Sequence, residues 1–123
     1  LIKKTKVNID LVAYNSETKI VTLIEVKGGS KNKKYKETLL RCLLEIETYY
    51  RILMPTKKLF FDTLKSDDSG RSIENAGEIK KGIYIPKESQ AAEELTEMNE
   101  GGRPHLKELF STFGTQIQDV VVF

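Results

Sequence analysis

The chain has 123 residues, 39% of them hydrophobic, with 20 Lys and Arg against 18 Asp and Glu for a net charge of +2. That length suits one α/β domain with a modest core, and the near-neutral balance excludes bulk positive charge as a signal of nucleic-acid binding. A lone cysteine, Cys42, excludes an internal disulfide; with no apolar run of the ~20 residues a bilayer requires and no signal-peptide pattern, a cytoplasmic protein is expected.

The chain opens at Leu1 without a methionine and runs almost at once into a strand, so a longer protein with residues upstream is expected. Residues from about Lys6 to Tyr14 and from about Lys19 to Lys27 are rich in β-branched side chains on either side of the turn-like NSETK, which predicts an antiparallel hairpin. Side chains alternate along a strand, so Glu25 and Lys27 share one face while Ile24 and Val26 take the other. Two even registers, Tyr14 opposite Lys19 or Tyr14 opposite Val21, both bring Asp10 to the face of Glu25 and Lys27. The second sets Asp10 directly opposite Glu25.

Two carboxylates and an ammonium on one sheet face repel and desolvate at a cost unless a cation joins them. Oxygen ligands of this kind suit Mg²⁺ or Mn²⁺. A lysine beside them can orient or deprotonate a water, or stabilise charge building on a phosphate, and together these are the parts of phosphodiester hydrolysis. Lys3, Lys4 and Lys6 precede the hairpin, and Lys31, Lys33, Lys34 and Lys36 follow it in a flexible loop opened by Gly28 and Gly29. They are either solvated loop lysines or phosphate contacts, with Lys31, Lys33 and Lys34 the named candidates.

From Lys36 to about Leu53 the spacing predicts a helix with Leu39, Leu43, Ile46, Tyr50 and Leu53 inward, Leu40 and Leu44 widening the stripe, Cys42 in the core, and Pro55 ending it. Arg41, Glu45 and Tyr49 recur every four residues on another side, where they form either an ordinary helix pair beside a half-buried tyrosine or a polar row facing the active edge. Glu45 is the better candidate, with Glu47 as a competitor on a different side. KKLFFDTL predicts a strand over about Lys58 to Leu64, and Asp62 fits edge solvation. Lys65 to Lys81 reads as a long exposed loop.

GIYIP, from Gly82 to Pro86, predicts a strand, followed by a helix from Ser89, its N-cap, to Asn99. The glutamates Glu88, Glu93, Glu94, Glu97 and Glu100 there are expected on a solvated face away from any substrate groove. Gly101 to Pro104 is a break, and a short helix from about His105 to Phe113 turns Leu106, Leu109, Phe110 and Phe113 inward. His105, the single histidine, reads as structural or solvated. The apolar DVVVF suits a final strand buried on both faces.

Asp10, the Glu25-Val26-Lys27 tripeptide and the helix after it resemble the PD-(D/E)XK phosphodiesterase superfamily, the restriction-endonuclease-like fold. The resemblance covers about residues 6 to 64. It implies a mixed α+β core of a helix, three antiparallel strands, a helix and a further strand, with the first helix and strand mostly upstream of Leu1. It implies Asp10 and Glu25 as metal ligands for Mg²⁺ or Mn²⁺ and Lys27 as the catalytic lysine. Glu45 with Tyr49 is similar to the Q-x-x-x-Y element of the RecB-like branch, with glutamate for glutamine, and Ile9 stands where the motif has proline. The expected function is a nuclease acting on nucleic acid, DNA before RNA, with no membrane partner and with a homodimer or larger assembly open to it. The alternatives are a non-catalytic nucleic-acid or protein interaction module, and a plain surface ion pair between Glu25 and Lys27 worth ~0–1 kcal/mol.

Overall fold

The computed structural model describes residues 10–27, 38–65 and 77–123. They form an α+β fold in which a four-stranded mixed sheet, ordered β1-β2-β3-β4, is flanked by helices. Strands β1 (Leu11–Asn15) and β2 (Ile20–Val26) make the expected hairpin, in the register that pairs Tyr14 with Val21 and Leu11 with Ile24. The turn explains that choice. Asn15 Oδ1 accepts from the backbone N–H of Glu17 at 2.9 Å and Thr18 at 3.2 Å, while Lys19, at φ 61°, donates its N–H to the Asn15 carbonyl at 2.8 Å. An Asx turn of this kind closes a four-residue loop and locks the even register.

Helix α1 (Leu39–Leu53) starts at Thr38, whose side chain accepts the Arg41 N–H. It lies across β2 and β3. Leu39, Cys42, Leu43, Ile46 and Leu53 are buried as expected, and Tyr50 packs against them half-buried. Leu40 and Leu44 are exposed and do not widen the stripe, because they fall beyond the inward face centred on Leu39, Leu43 and Ile46.

KKLFFDTL is not a strand. After a 3-10 turn over Met54–Thr56 the chain continues as α2 (Lys57–Lys65), with Phe60 and Phe61 buried and Asp62 exposed. Pro55 enters that turn at a position whose N–H has no helical partner, so the chain bends without leaving helical backbone. Adjacent Phe60 and Phe61 mimic a continuous strand run, but their rings both reach the core from a helix.

Strand β3 (Glu78–Ile85) begins four residues before the expected Gly82 and runs parallel to β2, with Ile20 opposite Glu78 and Glu25 opposite Ile83. Residues 78–81 are therefore strand and not loop, whereas 66–76 lie outside the described residues. Gly82 faces Ile24 in the ladder, where an added Cβ would meet the Thr22 methyl at 3.3 Å. Helix α3 (Gln90–Asn99) has Ser89 as its N-cap, accepting from Ala92 N–H, and α4 (Pro104–Phe113) follows. Both pack on α1.

The last strand, β4 (Val120–Val122), is parallel to β3 with Ile83 opposite Val120. Only Val120 is buried; Val121, Val122 and Phe123 are exposed, which corrects the expected two-sided burial. β4 is a short edge with one covered face, and a continuous apolar run cannot by itself distinguish that from a central strand. No helix among the described residues is long and apolar enough to cross a membrane.

Candidate functional site

The core face of β2 carries Val21 and Leu23, both fully buried, and by alternation the same face continues to Glu25 and then Lys27. The apolar floor thus runs directly into two charged residues. Glu25 is only 3% exposed. Extending the hairpin register by one residue sets Asp10 opposite Glu25, and Asp10 Oδ2 accepts the backbone N–H of Val26 at 3.0 Å. That bond ties the exposed aspartate to the end of β2.

Above them, α1 supplies Glu45 one residue before the buried Ile46. Lys27 Nζ bridges Glu25 Oε1 at 2.8 Å and Glu45 Oε2 at 2.7 Å, and Arg41 Nε donates to Glu45 Oε1 at 3.0 Å. Tyr49, half-buried, lies one turn further along α1. The structure therefore brings Asp10, Glu25, Lys27, Glu45 and Tyr49 into one cluster. Lys31, Lys33 and Lys34 lie outside the described residues.

The electrostatics of the cluster are unequal. Burial, then a hydrogen bond with Glu45, raises the Glu25 carboxyl from 4.5 to about 7 against the pull of Lys27, and Asp10 adds to the rise. Burial also works to raise Glu45, but hydrogen bonds with Glu25, Lys27 and Arg41 hold it at about 2. The hydrogen-bonded pair thus splits, with Glu25 raised and Glu45 lowered. Lys27 resists its own burial and is kept well above the ordinary ammonium value by the two carboxylates. Burial, and then the negative charge of Glu25, Glu45 and Asp10, push the Tyr49 phenol upward.

One atom in this network is unsatisfied: Glu25 Oε2 is buried and has no hydrogen-bond donor among the described residues. A buried carboxylate oxygen in that state costs free energy that a cation would recover. Among the described residues no three His, Cys, Asp or Glu side chains form a metal cage. Mg²⁺ does not need one, since it is commonly held by one or two carboxylates together with waters and substrate phosphates. The pair Asp10 and Glu25, with the orphaned oxygen of Glu25, fits that donor set.

A second charged cluster lies on the far side of Ile46. Lys81 occupies the core face of β3 between Ile79 and Ile83, and its Nζ donates to Glu47 Oε2 at 2.6 Å and to the Phe113 carbonyl at the end of α4 at 2.6 Å. It also lies 4.6 Å from the Tyr50 ring centroid, and Arg51 Nε caps Glu47 at 2.8 Å. The sequence hides this pair because Lys81 falls in what reads as loop. The alternation Ile79, Lys81, Ile83, Ile85 is the signal that marks it as inward. Glu94 likewise departs from the solvated face expected for its helix, being 4% exposed. His105 is exposed, as expected.

The chain matches no protein-family model, no curated protein and no solved structure.

Proposed function

We propose that this is a Mg²⁺- or Mn²⁺-dependent nuclease of the PD-(D/E)XK type, acting on DNA. The observation that carries the reading is the convergence of Asp10, Glu25 and Lys27 at the end of β2, with a buried Glu25 oxygen that has no donor among the described residues. The order β1, β2, α1, β3, with Asp10 beside the first strand and Glu25 and Lys27 at the end of the second, supports it further. Asp10 and Glu25 would hold the divalent cation, which supplies Lewis acidity and an activated water.

Lys27 is the catalytic lysine in this reading. Its ammonium donates toward the attacking water or the nonbridging phosphate oxygen, where negative charge grows as the water oxygen bonds to phosphorus and the ester P–O bond breaks. The attacking water gives up its proton to bulk solvent, and the departing alkoxide takes one up from solvent. Glu45 fixes the Lys27 side chain, and Arg41 in turn fixes Glu45, so the row on α1 acts on positioning. Tyr49 borders the same carboxylates, where its phenol remains a donor at neutral pH.

A direct test is cleavage of single- and double-stranded DNA with Mg²⁺ or Mn²⁺ by the wild type, Asp10→Ala and Lys27→Ala. Activity in the wild type and its loss in both variants supports the reading; equal activity in all three removes the site. A second reading, a non-catalytic nucleic-acid or protein interaction module, draws on the fact that Lys27 is already held by two carboxylates. Calorimetry separates the two: an oligonucleotide that binds while neither Mg²⁺ nor Mn²⁺ does identifies a reader that does not cut.

A further inference from the structure

Between the start of α1, α3 and α4 lies an open groove of about 410 Å³, at the N-terminal end of α1 and two turns before the Glu47 that pairs with Lys81. Leu40, Leu106 and Leu109 form its apolar walls, and Glu94, Arg103 and His105 supply polar groups. The volume falls in the range of small-molecule sites.

Glu94 is the unusual member. It sits on α3 among Ala91, Ala92, Leu95 and Met98, all buried, and is itself 96% covered, yet its Oε1 has no hydrogen-bond partner among the described residues. Its other oxygen lies 3.5 Å from Arg103 Nη1, a long contact, because that guanidinium is committed to Glu97 through Nε at 2.6 Å. The turn before α4 fixes this division. Gly102 N–H donates to the Glu97 carbonyl at 2.8 Å, and a Cβ on Gly102 would come within 2.9 Å of that oxygen, so only glycine lets the chain return this tightly. Arg103 follows in the left-handed region at φ 50° and swings its side chain back across α3. Two carboxylates thus share one guanidinium, leaving one negative charge at the polar end of an apolar groove.

We propose that this groove binds a small aliphatic primary amine, its ammonium donating to Glu94 Oε1 and its stem lying along Leu40, Leu106 and Leu109. An ammonium satisfies the orphaned oxygen and balances the residual charge together, which a neutral alcohol does only in part and a carboxylate not at all. The site is separate from the cluster at Lys27 and does not depend on the nuclease reading.

The test is an NMR titration of the leucine-methyl-labelled chain with n-pentylammonium chloride, with 1-pentanol and sodium pentanoate as comparators. Saturable shifts at the Leu40, Leu106 and Leu109 methyls are expected with the amine, weaker ones with the alcohol and none with the carboxylate. Glu94→Gln should weaken amine binding about tenfold or more, the loss of one charge-assisted hydrogen bond. Leu40→Lys, at a partly exposed wall position, places a like charge at the mouth and should weaken it similarly without touching the buried carboxylate, which keeps the test decisive where Glu94→Gln fails to fold. The absence of saturable shifts, a pentanol affinity equal to that of the amine, or unchanged binding in a folded Glu94→Gln or in Leu40→Lys overturns the proposal.

Discussion

Glu45 and Glu47 flank the buried Ile46 on α1, and each meets a lysine that rises from the core face of a strand, but the two pairs end in opposite states. At Glu47 the ammonium of Lys81 is enclosed: a carboxylate, a helix-terminal carbonyl and an aromatic face surround it, and both residues are under 10% exposed. The carbonyl end of α4 favours a cation there. At Glu45 the side chain of Lys27 is 15% exposed, Glu25 and Glu45 share its ammonium with Asp10 acting on Glu25, and Glu25 Oε2 has no partner among the described residues. A charge cluster built for stability closes on itself. One that leaves a buried acceptor unfilled at an accessible edge has room for a ligand.

The largest expected effect separates the clusters by activity. Lys27→Met should reduce Mg²⁺-dependent DNA cleavage by ~10²–10⁴-fold with the chain still folded, whereas Lys81→Met should leave the cleavage rate of the folded fraction within about threefold. Comparable losses in both variants would erase the distinction. Stability is expected to show the reverse. Glu47→Ala leaves Lys81 buried opposite no carboxylate and should cost ~3–5 kcal/mol in urea unfolding, while the double replacement Glu47→Leu, Lys81→Met should recover most of it, since an apolar pair of similar volume substitutes for a buried ion pair. A single-variant loss below about 1 kcal/mol would mean that the closed cluster does little for the fold.

A smaller effect concerns pH. With its carboxyl raised to about 7 against 4.5 when unfolded, Glu25 binds its proton more tightly in the folded chain, so its contribution to stability is complete below 4.5 and is lost as pH rises through about 7. Glu45, held at about 2, contributes in the opposite sense: fully above 4.5, and progressively less as pH falls toward 2. Urea midpoints measured without divalent cations should therefore decline between pH 5 and pH 8, and Glu25→Gln should flatten that decline. A Glu25→Gln profile that parallels the wild type would place the titrating group elsewhere. Adding Mn²⁺ should restore stability most at the higher pH, because there the proton no longer competes with the cation for Glu25.

The smallest is shared by both regions. Thr38→Ala removes the N-cap of the helix that carries Glu45 and Glu47 and should cost ~1 kcal/mol by thermal or urea unfolding, with no preference for either cluster.

Much of this was legible in the chain because it depends on local periodicity. The hairpin follows from β-branched strands around NSETK, the inward face of α1 from its heptad-like spacing, and the caps from Thr38 and Ser89 standing just before apolar runs. Alternation alone aligns Glu25 with Lys27. The misreadings share a physical cause. Lys58 to Leu64 is apolar enough for a strand or a helix, and only the entry of both Phe60 and Phe61 into the core decides; DVVVF is apolar enough for the centre of a sheet but ends at its edge.

Residue order alone sets which residue types share a face and where the turns fall, because backbone geometry repeats every two or 3.6 residues irrespective of partners. The tertiary structure alone decided which charges meet. Lys81 finds Glu47 across 34 positions of the chain, Lys27 finds Glu45 across 18, and Glu94 is buried on a helix whose composition is that of a solvated face. Contacts at such separations are set by how α1 stacks on the sheet and α3 and α4 pack on α1, and the same stacking leaves Glu25 Oε2 and Glu94 Oε1 without partners among the described residues.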